Sequence, residues 1–160
     1  MTAQITEQLI YKGEELSLCE EPLRVYLHRY AKDIKFESMS TALWRGYVGT
    51  WSIEEGRLYL IKLKGYRSTL AGLTGVGLTD VFPGFHDGVF AHWYSGELRC
   101  PMGGLLNYVH GGYASQYEMD LYLRFEKGVF KEESIIRNGY ADPEAPKGYH
   151  ITAMTTFGGK

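Results

Sequence analysis

The sequence predicts an α+β domain: a mostly antiparallel β-sheet built from hairpins, with one or two short helices. Three observations lead there. Apolar and polar residues alternate in short runs bounded by glycine turns. One stretch alone carries clear helical spacing. The 160 residues include 20 Gly and 13 Tyr, a mix suited to short strands and tight turns. No long helical pattern alternates with the strand patterns, which argues against a doubly wound parallel sheet. The length fits a single domain over 1–160, because two separate cores would each be small and marginal.

Taken in order, Leu16 and Leu18 alternate with Ser17 and Cys19, as in a short strand over 14–20. Pro22 then stands where a helix accepts proline, in its first turn, and Glu20 and Glu21 precede it, favourable at a helix N-terminus. Leu23, Tyr26, Leu27 and Tyr30 recur at i, i+3, i+4 and i+7, which predicts a short amphipathic helix over 22–31. Residues 32–40 read as a connection.

The clearest unit is 46–64. Tyr47, Gly49, Trp51 and Ile53 alternate with Val48, Thr50, Ser52 and Glu54, and Tyr59, Ile61 and Leu63 follow the turn. Read as a three-residue loop, Glu54-Glu55-Gly56 is a type I turn closed by a G1 bulge, with Gly56 left-handed. That loop pairs Ile53 with Arg57, Trp51 with Tyr59, Gly49 with Ile61 and Tyr47 with Leu63. Gly49 then leaves room on its face for a side chain from another element. The device recurs at Glu126-Lys127-Gly128, after the alternating Leu121, Leu123 and Phe125; it pairs Phe125 with Val129 and returns to about residue 136, before an Asn138-Gly139 turn. Between the two hairpins, 66–77 is glycine-rich and reads as a loop. Leu78 to Phe82 reads as one helical turn stopped by Pro83-Gly84, 89–99 as a strand bent at Gly96, and 105–109 as a further strand. The tail is loop-like, with a strand expected at 149–154 and fraying at the last four residues.

Charge is almost balanced, 17 Lys+Arg against 19 Asp+Glu for a net of −2, so there is no basic footprint and no double-stranded nucleic acid partner is expected. The N-terminal residues are polar, without the basic start and apolar run of a secretory signal. The least polar stretch, 70–78, is too short and too rich in glycine for a membrane helix. A soluble, cytoplasmic protein without membrane association is the expectation. Cys19 and Cys100 lie far apart, with no CxxC and no histidine at ligand spacing. They read first as reduced thiols, with a single disulfide between them as the alternative, and neither metal nor cofactor is expected.

The densest polar-aromatic cluster holds His86 and Asp87, then His92, Tyr94 and Glu97; His86 and His92 are of the type that moves protons near neutral pH. His110, beside Gly111-Gly112, joins Tyr108 and Tyr113 as a candidate pocket mouth. Trp44, Arg45 and Trp51 offer a stacking or cation–π surface, or else pack in the core, the reading that the inward phase of Trp51 favours. His28 and His150 have no partners that spacing identifies. The glycines of 72–77 lack the Lys-Ser/Thr of a phosphate loop and the third glycine of a dinucleotide fingerprint, and Tyr94-Ser95-Gly96 is no nucleophile elbow. No catalytic residue is assigned. Trp44, Arg45, His86, His92, Tyr94, Tyr108, His110 and Tyr113 are the candidate binding residues.

The run Thr41-Ala42-Leu43-Trp44-Arg45-Gly46-Tyr47-Val48-Gly49-Thr50-Trp51, with Leu58-Tyr59-Leu60 and Trp93-Tyr94-Ser95-Gly96-Glu97-Leu98-Arg99, resembles a family of small uncharacterised bacterial proteins over roughly residues 22–128. The resemblance implies a bacterial, cytoplasmic origin and carries no activity or catalytic residue. Abundant tyrosine without a catalytic signature points first to a non-catalytic protein-binding module, of the kind that includes immunity and inhibitor proteins, with another protein as partner and the oligomeric state open. The alternative is a small enzyme or small-molecule-binding domain with a pocket lined by His, Tyr and Glu. Convergence of His86, His92 and His110 in one cleft would separate the two.

Overall fold

A computed structural model describes residues 2–144, and in it one sheet dominates, accompanied by two short helices. The hairpin of β1 (Glu7–Tyr11) and β2 (Glu14–Leu18) leads into helix α1 (Pro22–Tyr30). After a connection come β3 (Tyr47–Glu54), the long β4 (Arg57–Thr69) and β5 (Gly72–Gly77). The turn α2 (Leu78–Val81) and the two-residue β6 (Val89–Phe90) precede β7 (Gly96–Asn107), β8 (Gln116–Glu126) and β9 (Val129–Arg137). Strand order is β2-β1-β3-β4-β9-β8-β7, with β5 and β6 also on β4. The sheet is mixed: β1 and β3 run parallel, whereas the other strand pairs are antiparallel.

The two ends of this order meet. β2 lies against β7, and the Cys19 N–H donates to the Arg99 carbonyl at 2.8 Å. The sheet is thus curled almost into a barrel, which limits the exposed edge that an open sheet leaves. Its interior is filled by side chains such as Trp51, Phe125, Leu60, Leu98 and Leu121, so the space inside is core rather than channel. Helix α1 follows its periodicity, burying Leu23 and half-burying Tyr26 and Leu27. Tyr26 meets Phe82 and Trp93 at ring distances of 4.6 and 4.8 Å, and the Trp93 indole donates to the Pro22 carbonyl.

Both predicted hairpin registers need correction. Glu55-Gly56 and Lys127-Gly128 are two-residue loops in which both residues have positive φ (49° and 74°, 48° and 81°), as in Lys12-Gly13 (52° and 79°). These are type I′ turns, whose twist matches that of the flanking strands better than a type I turn does. Glu54 therefore faces Arg57, Ile53 faces Leu58 and Trp51 faces Leu60. A register shift between Thr50 and Trp51 then brings Thr50 opposite Lys62 and Gly49 opposite Leu63. Leu58 and Leu60 point inward before that bulge, and Leu63 does so after it. In the second hairpin Phe125 pairs with Phe130, not Val129.

Three further expectations change. The 66–77 stretch is not a loop but the end of β4 and all of β5, paired from Lys64↔Gly77 to Thr69↔Gly72. Glycine removes side-chain packing yet keeps its backbone donors and acceptors, so an exposed ribbon can still form. The run 89–99 divides into β6 and β7 because the chain turns at 91–95, and 105–107 continues β7. β1, unforeseen, is a central strand. The strand expected at 149–154, the fraying end and His150 lie outside the described residues.

At the far end of β7 and β8, the Glu118 carboxylate accepts from the backbone N–H groups of Gly104 and Ala141, both at 2.8 Å. Those bonds hold its carboxyl below the usual range. A folded-state pKa below the unfolded one adds stability that is present above the unfolded carboxylate range and is lost as pH falls through the folded value. Glu118→Gln is expected to cost no more than about 1 kcal/mol at neutral pH, because the side chain reaches solvent. Urea unfolding should show the two proteins converging as the medium is acidified below pH ~4.

Candidate functional site

The site begins with a buried charge. Glu7 opens β1 with its side chain directed inward and fully buried. Parallel pairing of Gln8, Leu9 and Ile10 with Thr50, Trp51 and Ser52 sets it beside β3. Its Oε1 accepts from the Trp51 indole at 3.0 Å. Its Oε2 accepts from the Gly49 N–H at 2.9 Å and from Arg45 Nε and Nη2 at 3.0 and 2.8 Å. A Cβ on residue 49 would stand 2.5 Å from Glu7 Oε1. The room that Gly49 leaves on its face is therefore taken by this carboxylate. Burial pushes the Glu7 carboxyl up, while Arg45, Trp51 and Gly49 pull it down. Every group bonded to it is a donor, so the ionised form is the one this pocket accommodates.

Arg45 carries the network outward. Its Nη1 donates to the Tyr113 hydroxyl at 3.1 Å, which in turn donates to Glu21 Oε2 at 2.7 Å. Arg99 secures the loop that presents Tyr113: Nη1 and Nη2 donate to the Tyr113 and Ser115 carbonyls at 2.7 and 3.0 Å, and Nε pairs with Asp120 at 2.8 Å. Gln4 clamps the opposite side, donating to the Thr41 carbonyl at 2.8 Å and accepting from the Trp44 N–H at 2.9 Å. Arg45 also lies over the Tyr47 ring, 5.6 Å from its centroid, and Phe36 packs on the same ring at 4.8 Å.

Over this network opens a cleft of about 420 Å³ between α1, the connection that follows it and the start of β3. Leu27, Ile34, Phe36, Trp44 and Tyr47 form its apolar walls; Gln4, Glu21, Arg24 and Arg45 are its polar groups. Tyr47 is buried, and its hydroxyl has no hydrogen-bond partner among the described residues. Burial, then the nearby carboxylates of Glu7 and Glu21, push this phenol up. It stays protonated and able to donate.

Of the sequence-derived candidates, Trp44 and Arg45 line this cleft and Tyr113 braces it. Trp51 is core, but Trp44 is 56% exposed, contrary to the core reading, and Arg45 stacks on Tyr47 rather than on tryptophan. His86, His92 and His110 are exposed, and none of them lines the cleft. His92 leans on Trp93 and Phe90, while Tyr108 and His110 contact each other edge to face. Tyr94 is buried and donates to the Glu97 carbonyl at 3.0 Å. Glu7, Glu21, Gln4 and Tyr47 were missed; the sole local signal was the alternation of Glu7, Leu9 and Tyr11. Cys19 is half-buried and Cys100 buried, both as free thiols.

Among the described residues, no three His, Cys, Asp or Glu side chains are grouped to hold a metal ion. No helix among them is long and apolar enough to cross a membrane. Comparison with protein-family models, curated proteins and solved structures returns no match to this chain. The functional reading therefore rests on the residues of the cleft.

Proposed function

We propose that this protein is a non-catalytic binding domain whose site is the cleft between α1 and the start of β3, and that its ligand is a small molecule. The observation that carries the reading is Tyr47 in the wall of that cleft, its hydroxyl buried just behind the surface and without a partner among the described residues. An unpaired buried hydroxyl costs on the order of 1–3 kcal/mol, and a ligand acceptor that reaches it through a small shift of the wall would remove that cost. Mixed apolar walls with a few fixed polar groups are the usual make-up of a small-ligand site. The charged groups behind the cleft are engaged with one another, Arg45 with Glu7 and Tyr113, and Tyr113 with Glu21. That arrangement suits a rigid receptor better than a nucleophile activated by a base. A cytoplasmic protein of bacterial origin accords with this reading, on the resemblance of its tryptophan-rich segments.

A second reading, a protein-binding module of the immunity or inhibitor type, is favoured by Trp44 itself. Its backbone is clamped while its ring is exposed, with Met39 also exposed on the same connection. A held aromatic ring is a common anchor of protein interfaces.

Fluorescence titration with N-phenyl-1-naphthylamine, an uncharged aromatic probe, tests the first reading. Saturable binding is expected, weakened by roughly fivefold or more in Trp44→Ala, a loss of about 1 kcal/mol. Absence of saturable binding would reject the small-ligand cleft and leave the protein-binding reading.

A further inference from the structure

Resting on that reading, we infer that the ligand is an organic anion with an apolar body, its acidic group held by Lys32 and Lys35. Arg24, Leu27 and Ile34, which line the cleft, also border a second hollow of about 420 Å³, closed by His28, Ala31, Lys32 and Lys35. The two hollows share a wall, so one elongated molecule can lie along Leu27 and Ile34 and reach both.

Charge is distributed unequally between their ends. At the inner end, Arg45 is matched by Glu7 at 2.8 Å, and Glu21 is bonded to Tyr113. At the outer end no carboxylate among the described residues lines the hollow. Lys32 and Lys35 enter no ion pair among the described residues. Arg24 has one loose pairing, with Glu21 Oε1 at 3.8 Å. Asp33 lies between the two lysines in sequence but does not line the hollow.

A cationic ligand would meet this uncompensated positive charge unfavourably. A neutral apolar one would fill the walls and leave the lysines idle. An amphipathic anion uses both features: its body lies on the apolar walls and its acid meets the lysines. The lysine stems can cover part of the apolar body while the ammonium groups reach the acid. Because these ammonium groups are exposed, salt should screen their share of the affinity.

The test pairs two probes of nearly the same aromatic body, 8-anilinonaphthalene-1-sulfonate and the uncharged N-phenyl-1-naphthylamine, on the whole chain and on a Lys32→Glu/Lys35→Glu variant. Thermal unfolding confirms that the variant is folded, and Lys35→Gln serves as the milder substitution. The sulfonate is expected to bind the unaltered protein about tenfold more tightly than it binds the double variant, an advantage that high salt removes, while the uncharged probe binds both equally. If the sulfonate loses nothing in the variant, or both probes lose affinity together, the anion assignment is overturned and the cleft reading stands. If the uncharged probe binds neither protein, the cleft reading itself fails.

Discussion

Glu7→Leu is expected to lower the unfolding free energy by about 3–5 kcal/mol, read as a shift of the urea midpoint at constant slope. The magnitude follows from what remains when the carboxylate is removed. Arg45, whose side chain is 7% exposed, would keep its charge with no carboxylate bonded to it. The Gly49 N–H and the Trp51 indole N–H would each lose their acceptor. Breaking one side of a buried pair is costly because the other charge remains desolvated. Arg45→Met should be damaging for the mirror-image reason. Glu7→Leu with Arg45→Met should lose much less than the sum of the two single changes, since no lone charge remains. It should not return to the level of the unaltered protein, because both N–H groups would still lack an acceptor. The Tyr113 bridge starts from Arg45, so probe affinity at the cleft should fall in both single variants. A cost under about 1 kcal/mol for Glu7→Leu would mean that water enters the site and solvates Arg45.

How far the sequence could be read divides along the same line, between local and distant partners. Helix α1 was legible because its spacing and Pro22 are local signals, and the expected 22–31 differs by one residue from the observed Pro22–Tyr30. The turns were located correctly, since Gly56 and Gly128 mark them, but their types were not. A three-residue loop with one left-handed glycine and a two-residue loop with two left-handed residues both end in Xaa-Gly. Choosing the second requires placing Glu55 and Lys127 at positive φ, which their residue types disfavour. The strand twist decided it. The site was half legible. Trp44, Arg45 and Tyr113 stood out as chemistry-bearing side chains, whereas Glu7 looked like part of a polar N-terminus. Its role arises from parallel pairing of β1 with β3 and from a partner 38 residues along the chain, Arg45. No short-range pattern reports such a pairing. The histidines misled for the converse reason: residue type raised them as candidates, but they sit on turns and short segments that do not converge.

Gly128→Val should destabilise the fold by about 2–5 kcal/mol, against about 1–2 kcal/mol for Gly56→Val, although both glycines occupy the same position of the same turn type. At both sites a branched residue must adopt a left-handed backbone, at φ 74° for Gly56 and 81° for Gly128, which costs roughly 1–2 kcal/mol. The surroundings then separate them. A Cβ at Gly56 would meet nothing within 4 Å, whereas one at Gly128 would lie 2.6 Å from the Ala91 carbonyl oxygen and 2.7 Å from Phe90 Cε1. A carbonyl cannot rotate away as a side chain can, so the backbone must shift, at about 1–3 kcal/mol more. That shift falls on the joint between β4 and β9. The Leu58 N–H donates to the Gly128 carbonyl at 2.9 Å, the Phe130 N–H to the Gly56 carbonyl at 2.8 Å, and the Gly128 N–H to the Tyr94 carbonyl at 2.8 Å. β4 and β9 pair through Arg57 and Val129 alone, so these few bonds carry the connection between two parts of the sheet. Thermal melts of the two variants measure the difference. Equal losses would place the whole cost in the turn conformation and none in the joint, while the expected larger loss at Gly128 makes the docking of the two turns the step that closes the curled sheet.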